Sequence, residues 1–373
     1  MAAGFSLKDQ LFNAQTVAQL GNDFEKAGVF DAAPFVDAVL ARMAPLELKA
    51  RINLIAQVLA DFLPADFPTA AKAIAAALPP PLDPEKTDND FGHFIYAPLG
   101  VFVETKGIAD CHLDQSLDLL ALITQRFSME FSIRAFLNAH QGATLARMQD
   151  WASHENYHLR RLVSEGTRPK LPWGQGVGLL PAQTLPLLDT LHADRTRYVT
   201  RSVANHLNDI AKTDADAVIA RLSDWQELEA QTAPELDYMR KHALRSLIKS
   251  GHPAALRHLG FRPDVDVSVT GFSITPEPLE IDATAEIAFT VHVPRPAPLI
   301  IDYAIDFMKS NGKTAPKVFK CKQIAAVPGV PVTIRKMHRF KGNATTFRLY
   351  PGAHRIHVQI NGRIVQSCDF TLR

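Results

Sequence analysis

Three carboxylates of this chain sit among cations. Glu130 lies in RFSMEFSIRAFL between Arg126 and Arg134, and Glu165 lies in LRRLVSEGTRPKLPWG (159–174) among Arg160, Arg161, Arg168 and Lys170. Asp209 closes RSVANHLND. A surface built only to hold a polyanion is weakened by every acid placed in it, because like charges repel. Such an acid makes sense if it meets a positive charge. Alkylation of a nucleobase at a ring nitrogen, such as N3 of adenine, creates that charge and a good leaving group together. Its removal needs no general acid. It needs stabilisation of an oxocarbenium-like sugar and a positioned water, both of which a carboxylate can provide. Trp173, at the end of the second segment, is suited to stack on a cationic base or its sugar. The plainer reading makes each acid an ion-pair partner that holds nearby Arg side chains, and makes Trp173 a packing anchor between Pro172 and Gly174.

A second constellation, HENYH (154–158), matches the H-E-x-x-H of zinc proteases. That motif works only where both His share one helical face. The repeat register described next puts His154 and Glu155 in a turn, so no metal site is expected.

The elements that position these residues read as helical up to about residue 262. FVDAVLARM (35–43), ARINLIAQVLADFL (50–63) and LDLLALITQRF (117–127) space apolar residues three and four apart. LPPPLDPEKTDNDFG (78–92) reads as an extended linker between helical blocks. Tyr157, Tyr198 and Tyr238 stand 41 and 40 residues apart, and each opens a similar helix: YHLRRLVSEG, YVTRSVANHL and YMRKHALRSL. Helix pairs recurring at that interval predict a HEAT-like solenoid. Arg160, Arg201 and Lys241 each follow their tyrosine by three residues, so the repeat predicts a stripe of cations along the second helices.

After Arg262-Pro263 the pattern changes to short β-branched and aromatic runs separated by turn signals. The runs are VDVSVTGFSI, AEIAFTVHV, LIIDYAIDF, KVFKCKQI, PVTIRKMHRF, TTFRLY, RIHVQI and RIVQSCDF, the last two joined by Asn-Gly as a hairpin. Seven or eight such strands predict an antiparallel sandwich of immunoglobulin type without the Cys…Trp…Cys hallmark. The expected organisation is therefore multidomain: an all-α HEAT-like repeat solenoid over 1–262 and an all-β immunoglobulin-like sandwich over 263–373.

The formal net charge of +1 conceals a gradient. Residues 1–125 hold 8 Lys/Arg against 16 Asp/Glu, residues 126–262 hold 18 against 14, and residues 263–373 hold 14 against 9. Between Asp306 and Asp369 there are 12 Lys/Arg and no acid, which points to a polyanionic partner. No apolar run reaches ~18 residues, and MAAGFSLKDQLFN lacks the features of a secretory signal, so neither a membrane span nor export is expected. Three scattered cysteines without a CxxC pair fit a reduced cytoplasmic compartment and no structural zinc.

SMEFSIRAFL, HLRRLVSEGTRPKLPW and YVTRSVANHLNDIAK resemble the hallmark segments of the AlkC-type DNA glycosylases, within the AlkC/AlkD alkylbase-repair superfamily. LELKARINLIAQVL (46–59) and APLGVFVETKG (97–107) fit the same pattern, and the resemblance covers roughly residues 5–260. Some branches of that family also carry a C-terminal Ig-like domain. The resemblance implies excision of small cationic bases from duplex DNA in base excision repair, chiefly 3-methyladenine and, as a lesser expectation, 3-methylcytosine. It implies action as a monomer in the bacterial cytoplasm, at the nucleoid, without a cofactor and without full base flipping. Matched by motif, Glu130 and Glu165 become the acidic pair at the lesion, Trp173 the aromatic wall and Asp209 a further active-site carboxylate. Arg160, Arg161, Arg168, Lys170, Arg201, Asn205, Lys241 and Arg245 become phosphate contacts, as do Arg335, Lys336, Arg339 and Lys341. The sequence departs from the family pattern at HENYHLRRL, where an Asp-Pro-Asn turn is more usual, and at Ala135-Phe136-Leu137, which lacks a Pro. The competing readings are a catalytically silent HEAT-repeat binder of damaged or branched DNA, and a protein-interaction solenoid.

Overall fold

The computed structural model describes residues 6–86, 88, 91–342 and 347–373. Its contacts divide the chain into two compact units, one holding residues up to Ile210 together with Ser223–Ala243, the other Ala211–Leu222 and Leu244–Arg373.

The first unit is helical. It begins with α1 (Leu7–Leu11), α2 (Ala14–Lys26), α3 (Ala32–Met43), α4 (Leu48–Phe62) and α5 (Phe67–Ala77). After the Pro-rich segment come α6 (Ala97–Lys106), α7 (Leu113–Thr124) and α8 (Ile133–Ala139). The 40-residue repeat then resolves into α9 (Gln141–Trp151) with α10 (Tyr157–Gly166), α11 (Pro181–Leu191) with α12 (Arg197–Ile210), and α13 (Ala215–Leu228) followed by α14 (Ala233–Ala243). The second helices pack side by side, α10 on α12 and α12 on α14. Leu162, Val163, Val199, Val203 and Leu207 are fully buried along these helices, each removal of such a side chain from water contributing about 1.5–3 kcal/mol. Between first helices, Trp225 of α13 stacks on His192 at 4.6 Å, and its indole N–H donates to Asp189 of α11 at 2.9 Å.

The H-E-x-x-H geometry does not form. Asn156 caps α10, accepting the His158 N–H at 2.9 Å, and the Asn156 N–H in turn donates to His154 Nδ1 at 2.9 Å. His154 and Glu155 therefore lie in the turn before the helix while His158 lies on it.

The second unit takes in the first part of α13, up to Leu222, and contains α15 (Arg245–Lys249), α16 (Pro253–His258) and, among the described residues, seven strands: β1 (Ser268–Thr275), β2 (Thr284–His292), β3 (Ala297–Met308), β4 (Thr314–Ala326), β5 (Val332–Arg339), β6 (Gly352–Ile360) and β7 (Arg363–Leu372). They form antiparallel sheets ordered β1-β2-β5 and β4-β3-β6-β7. The alternating apolar residues of both sheets, among them Ile287, Phe289, Ile301, Ile305, Ile356 and Val358, make one buried core. Asn361 and Gly362 both adopt positive φ (45° and 78°) and close the β6–β7 hairpin as expected. Thr345 and Thr346 of the expected TTFRLY strand lie outside the described residues, and Phe347–Tyr350 carry no strand. Helical structure ends at His258 and strands begin at Ser268, on either side of the boundary expected at 262. By contact, though, the last two helices belong with the strands: Gln359 Nε2 donates to Lys249 O at 3.0 Å and Asn361 Nδ2 to Arg262 O at 2.9 Å.

Candidate active site

The three acids converge in the helical unit. Glu130 stands in the turn between α7 and α8, Glu165 in the last turn of α10, and Asp209 in the last turn of α12. Two arginines knit them together. Arg161 Nη1 donates to Glu130 and, at 2.9 Å, to Ser128 Oγ, while its Nη2 lies 3.6 Å from Glu165 Oε2. Arg168 Nη1 donates to Glu165 Oε1 at 2.6 Å, and its Nε donates to Asp209 Oδ2 at 2.9 Å. Ser202 Oγ on α12 completes the cradle, donating to Glu165 Oε2 at 2.6 Å.

Each interaction follows from local structure. Gly166 ends α10 where an added Cβ would meet Ile133 Cγ2 at 2.7 Å, so only glycine lets α10 lie this close to α8. Arg134, 1% exposed, donates to Gly166 O at 2.8 Å, Arg168 O at 2.9 Å and Gln175 O at 2.5 Å. One guanidinium thus satisfies the carbonyls left over at the helix end and fixes the loop that follows. That loop carries Trp173, which adopts a left-handed φ of 67°, is 60% exposed, and receives the Lys49 ammonium on its carbonyl.

Burial alone would push the Glu165 carboxyl up, but the Arg161 and Arg168 charges and the Ser202 hydroxyl hold it below the usual carboxylate range. Glu165 is therefore an anion at neutral pH. Counting formal charges, three carboxylates face three guanidiniums, because Arg134 lies within electrostatic reach of all three acids, so the cluster is charge-balanced and not a basic surface. Glu130, Glu165, Arg161, Arg168 and Trp173 line one cleft of about 350 Å³ with Phe91, Phe94, Phe127 and Phe131. Asp209 does not line it and stands behind Arg168. Glu130 Oε2 takes the bonds from Arg161 and Ser128, and Oε1 accepts none from any described residue.

The cations expected at phosphates divide into several environments. Arg161 and Arg168, each 8% exposed, belong to the acid cluster. Arg160 is bound by Asp194 at 2.5 Å, Arg201 by Asp88 at 2.5 Å and Lys241 by Asp237 at 2.6 Å. Asn205 Oδ1 meets His242 Nε2 at 2.8 Å, Lys170 is exposed, and Arg245 is half-buried on α15. In the sandwich Arg335, Arg339 and Lys341 are exposed, Arg335 pairing with Glu286 at 2.6 Å. Lys336 alternates to the same side of β5 as buried Ile334.

Sequence reasoning missed Ser128, Ser202 and Tyr198. The Tyr198 ring lies 4.7 Å under the Arg161 guanidinium and helps seat it. The only sequence signal was the tyrosine period. Arg134 was noted merely as a flank of Glu130.

Stacked helix pairs that converge on an acid–arginine cluster, joined in one chain to an immunoglobulin-like sandwich, define a class. Within it, the model for the C-terminal Ig-like domain of the uncharacterised protein YhaZ matches residues 268–373. The uncharacterised protein YhaZ of Bacillus subtilis (strain 168) is 36% identical over 272 residues, 72% of this chain and 74% of that protein. The solved structure of the alkylpurine DNA glycosylase AlkC of Pseudomonas fluorescens, bound to DNA containing an abasic site analogue, superposes with a TM-score of 0.88. It is 32% identical to this chain, over 99% of this chain and 100% of that one. The chain belongs to the AlkC-type family, with YhaZ as a further relative.

Proposed function

We propose that the protein is a DNA glycosylase that removes small cationic alkylated bases, 3-methyladenine above all and 3-methylcytosine as a second substrate, from duplex DNA in base excision repair. The observation that carries this reading is the Glu165 carboxylate, held ionised and fixed in the wall of a cleft by Arg161, Arg168 and Ser202. An acid held as an anion is a poor proton donor, and a cationic base needs none to leave. A buried, preorganised negative charge instead stabilises the sugar cation that forms as the C1′–N bond breaks. The electron pair of that bond neutralises the base, water adds to C1′, and its proton passes to a carboxylate.

Glu130, with an oxygen that no described residue engages, is assigned to orient the water. Trp173 stacks on the lesion or its sugar from the cleft rim, without full extrusion of the base. Asp209 acts at one remove, by holding Arg168 against Glu165. In this reading Arg161 and Arg168 position acids, and phosphate contacts fall to the more exposed Lys170, Arg201, Lys241, Arg335, Arg339 and Lys341, with the sandwich over 263–373 adding basic surface. The family relation to a glycosylase solved on DNA supports the assignment.

The deciding experiment is base release from methylated duplexes that each carry one defined lesion. Release by the wild type that is abolished in Glu165→Gln, with duplex binding retained, is the expected result. Duplex binding without release by the wild type would instead mark a silent binder.

A further inference from the structure

A second cavity, of about 290 Å³, adjoins the acid-lined cleft across Trp173. The two share Phe94, Phe127, Ser128, Phe131 and Trp173, but none of the three acids lines the second one. Its remaining walls come mainly from α4, with Lys49, Ile52 and Asn53, and from α6, with Ala97, Val101 and Glu104. Its volume is near the lower end of small-molecule sites, roughly 300–1,000 Å³, and its character is theirs: apolar walls with a few convergent polar groups. The close approach of α6 to the 129–132 turn is built in, since a Cβ on Gly100 would lie 2.5 Å from both Met129 Sδ and Ser132 Oγ.

We propose that this cavity receives the released base, a neutral planar heterocycle, with the Glu104 carboxyl and the Asn53 amide as its hydrogen-bonding edge. The proposal rests on the glycosylase reading above. A lesion is cationic while attached and neutral once the glycosidic electron pair has moved onto it, so the carboxylates that attract the substrate have no hold on the product. An apolar chamber sharing the aromatic wall does. Burial pushes the Glu104 carboxyl up to about 7, although the Ser132 hydroxyl works the other way. Much of it is therefore protonated at neutral pH, presenting one donor and one acceptor to the N/N–H edge of a purine. The charged group lining the cavity beside it is Lys49, whose ammonium is engaged by the Trp173 carbonyl. Arg51 and Asp61 on α4, Lys72 on α5, Asp114 and Asp118 on α7, and Arg134 on α8 do not line it.

The test titrates free 3-methyladenine into the full chain without DNA, by calorimetry at pH 6 and pH 8. Wild type should bind about tenfold more weakly at pH 8 than Glu104→Gln does, with the two nearly equal at pH 6; the Gln variant corrects for titration of the ligand itself. Val101→Phe, which fills the chamber, should abolish binding while keeping a wild-type melting temperature. Absence of wild-type binding at pH 6, or the same pH dependence in wild type and Glu104→Gln, overturns the inference. Normal binding to a folded Val101→Phe overturns it too. If Val101→Phe weakens binding to duplexes with an unpaired base while free base does not bind, the occupant is a base still attached to DNA, and the inference fails. Base release from DNA without free-base binding refutes this inference alone, whereas free-base binding without release refutes the glycosylase reading.

Discussion

The arginines of the helical unit and those of the sandwich are the same residue under opposite conditions. Arg134, Arg161 and Arg168 are no more than 8% exposed, and each has its donors taken by carbonyls, a serine or carboxylates. Arg335 and Arg355 pair with Glu286 and Asp369 with side chains 67% and 56% exposed, where water and salt compete for every bond. Buried guanidiniums set geometry: they hold three acids at fixed separations and keep one ionised. Surface guanidiniums set reach and salt dependence. A count of basic residues treats the two alike, and the family resemblance likewise set Arg161 and Arg335 in a single class of phosphate contacts.

The contrast breaks most visibly at Arg168. Arg168→Leu strands Glu165 and Asp209 as buried carboxylates without their shared partner, and should cost about 3–5 kcal/mol in chemical denaturation. A loss below about 1 kcal/mol would mean that the cluster is wetter than its burial implies. Next in size is Glu165→Gln, which removes the preorganised anion and should slow base release from a defined lesion by about 10²–10³-fold per folded molecule. Wild-type rates in that variant would remove Glu165 from the chemistry.

Features set by local pattern were legible in the sequence. The tyrosine period located α10, α12 and α14, the Asn-Gly pair located the β6–β7 hairpin, and the basic neighbourhoods of Glu130, Glu165 and Asp209 pointed to residues that do meet. What remained hidden depends on long-range packing. Nothing near Arg134 announces that it will bind carbonyls 32 to 41 positions away, and Glu104 acquires its environment only when α6 meets α4 and the 129–132 turn. Strand alternation was available for Arg335 and Lys336 and separates them, one side chain outward and one toward the core side of β5. The expected TTFRLY strand had the composition of a strand, but its described part, Phe347–Tyr350, carries none.

Glu104 sharpens the comparison from the acid side, because it is a half-buried carboxyl shifted by no arginine. Its folded value of about 7 lies above the ordinary 4.5, so the folded state holds the extra proton. Stability should therefore fall as pH rises from about 4.5 through 7, the reverse of Glu165, whose contribution is present at neutral pH and is lost in acid. Glu104→Gln, which does not titrate, should stabilise the protein by about 2–3 kcal/mol at pH 8 and by much less at pH 5. Equal effects at the two pH values would show that the carboxyl is already solvated.

The smallest effect belongs to the sandwich. Arg335→Ala with Arg339→Ala removes two exposed cations and one surface pair, so stability should stay within about 0.5 kcal/mol of wild type. Duplex affinity is where the pair should register. If both reach phosphates, log Kd against log salt should lose a slope of about one per cation, equally for damaged and undamaged duplexes, because backbone contacts carry no sequence or lesion information. Lys336→Ala is the internal control. Its side chain alternates to the core side of β5, and removing it should leave the salt slope unchanged. A slope altered by Lys336 and not by Arg335 and Arg339 would mean that the opposite face of the strand meets DNA. No change from any of the three would confine the polyanion surface to the helical unit, and the division between geometry-setting and reach-setting arginines would have to be drawn within that unit alone.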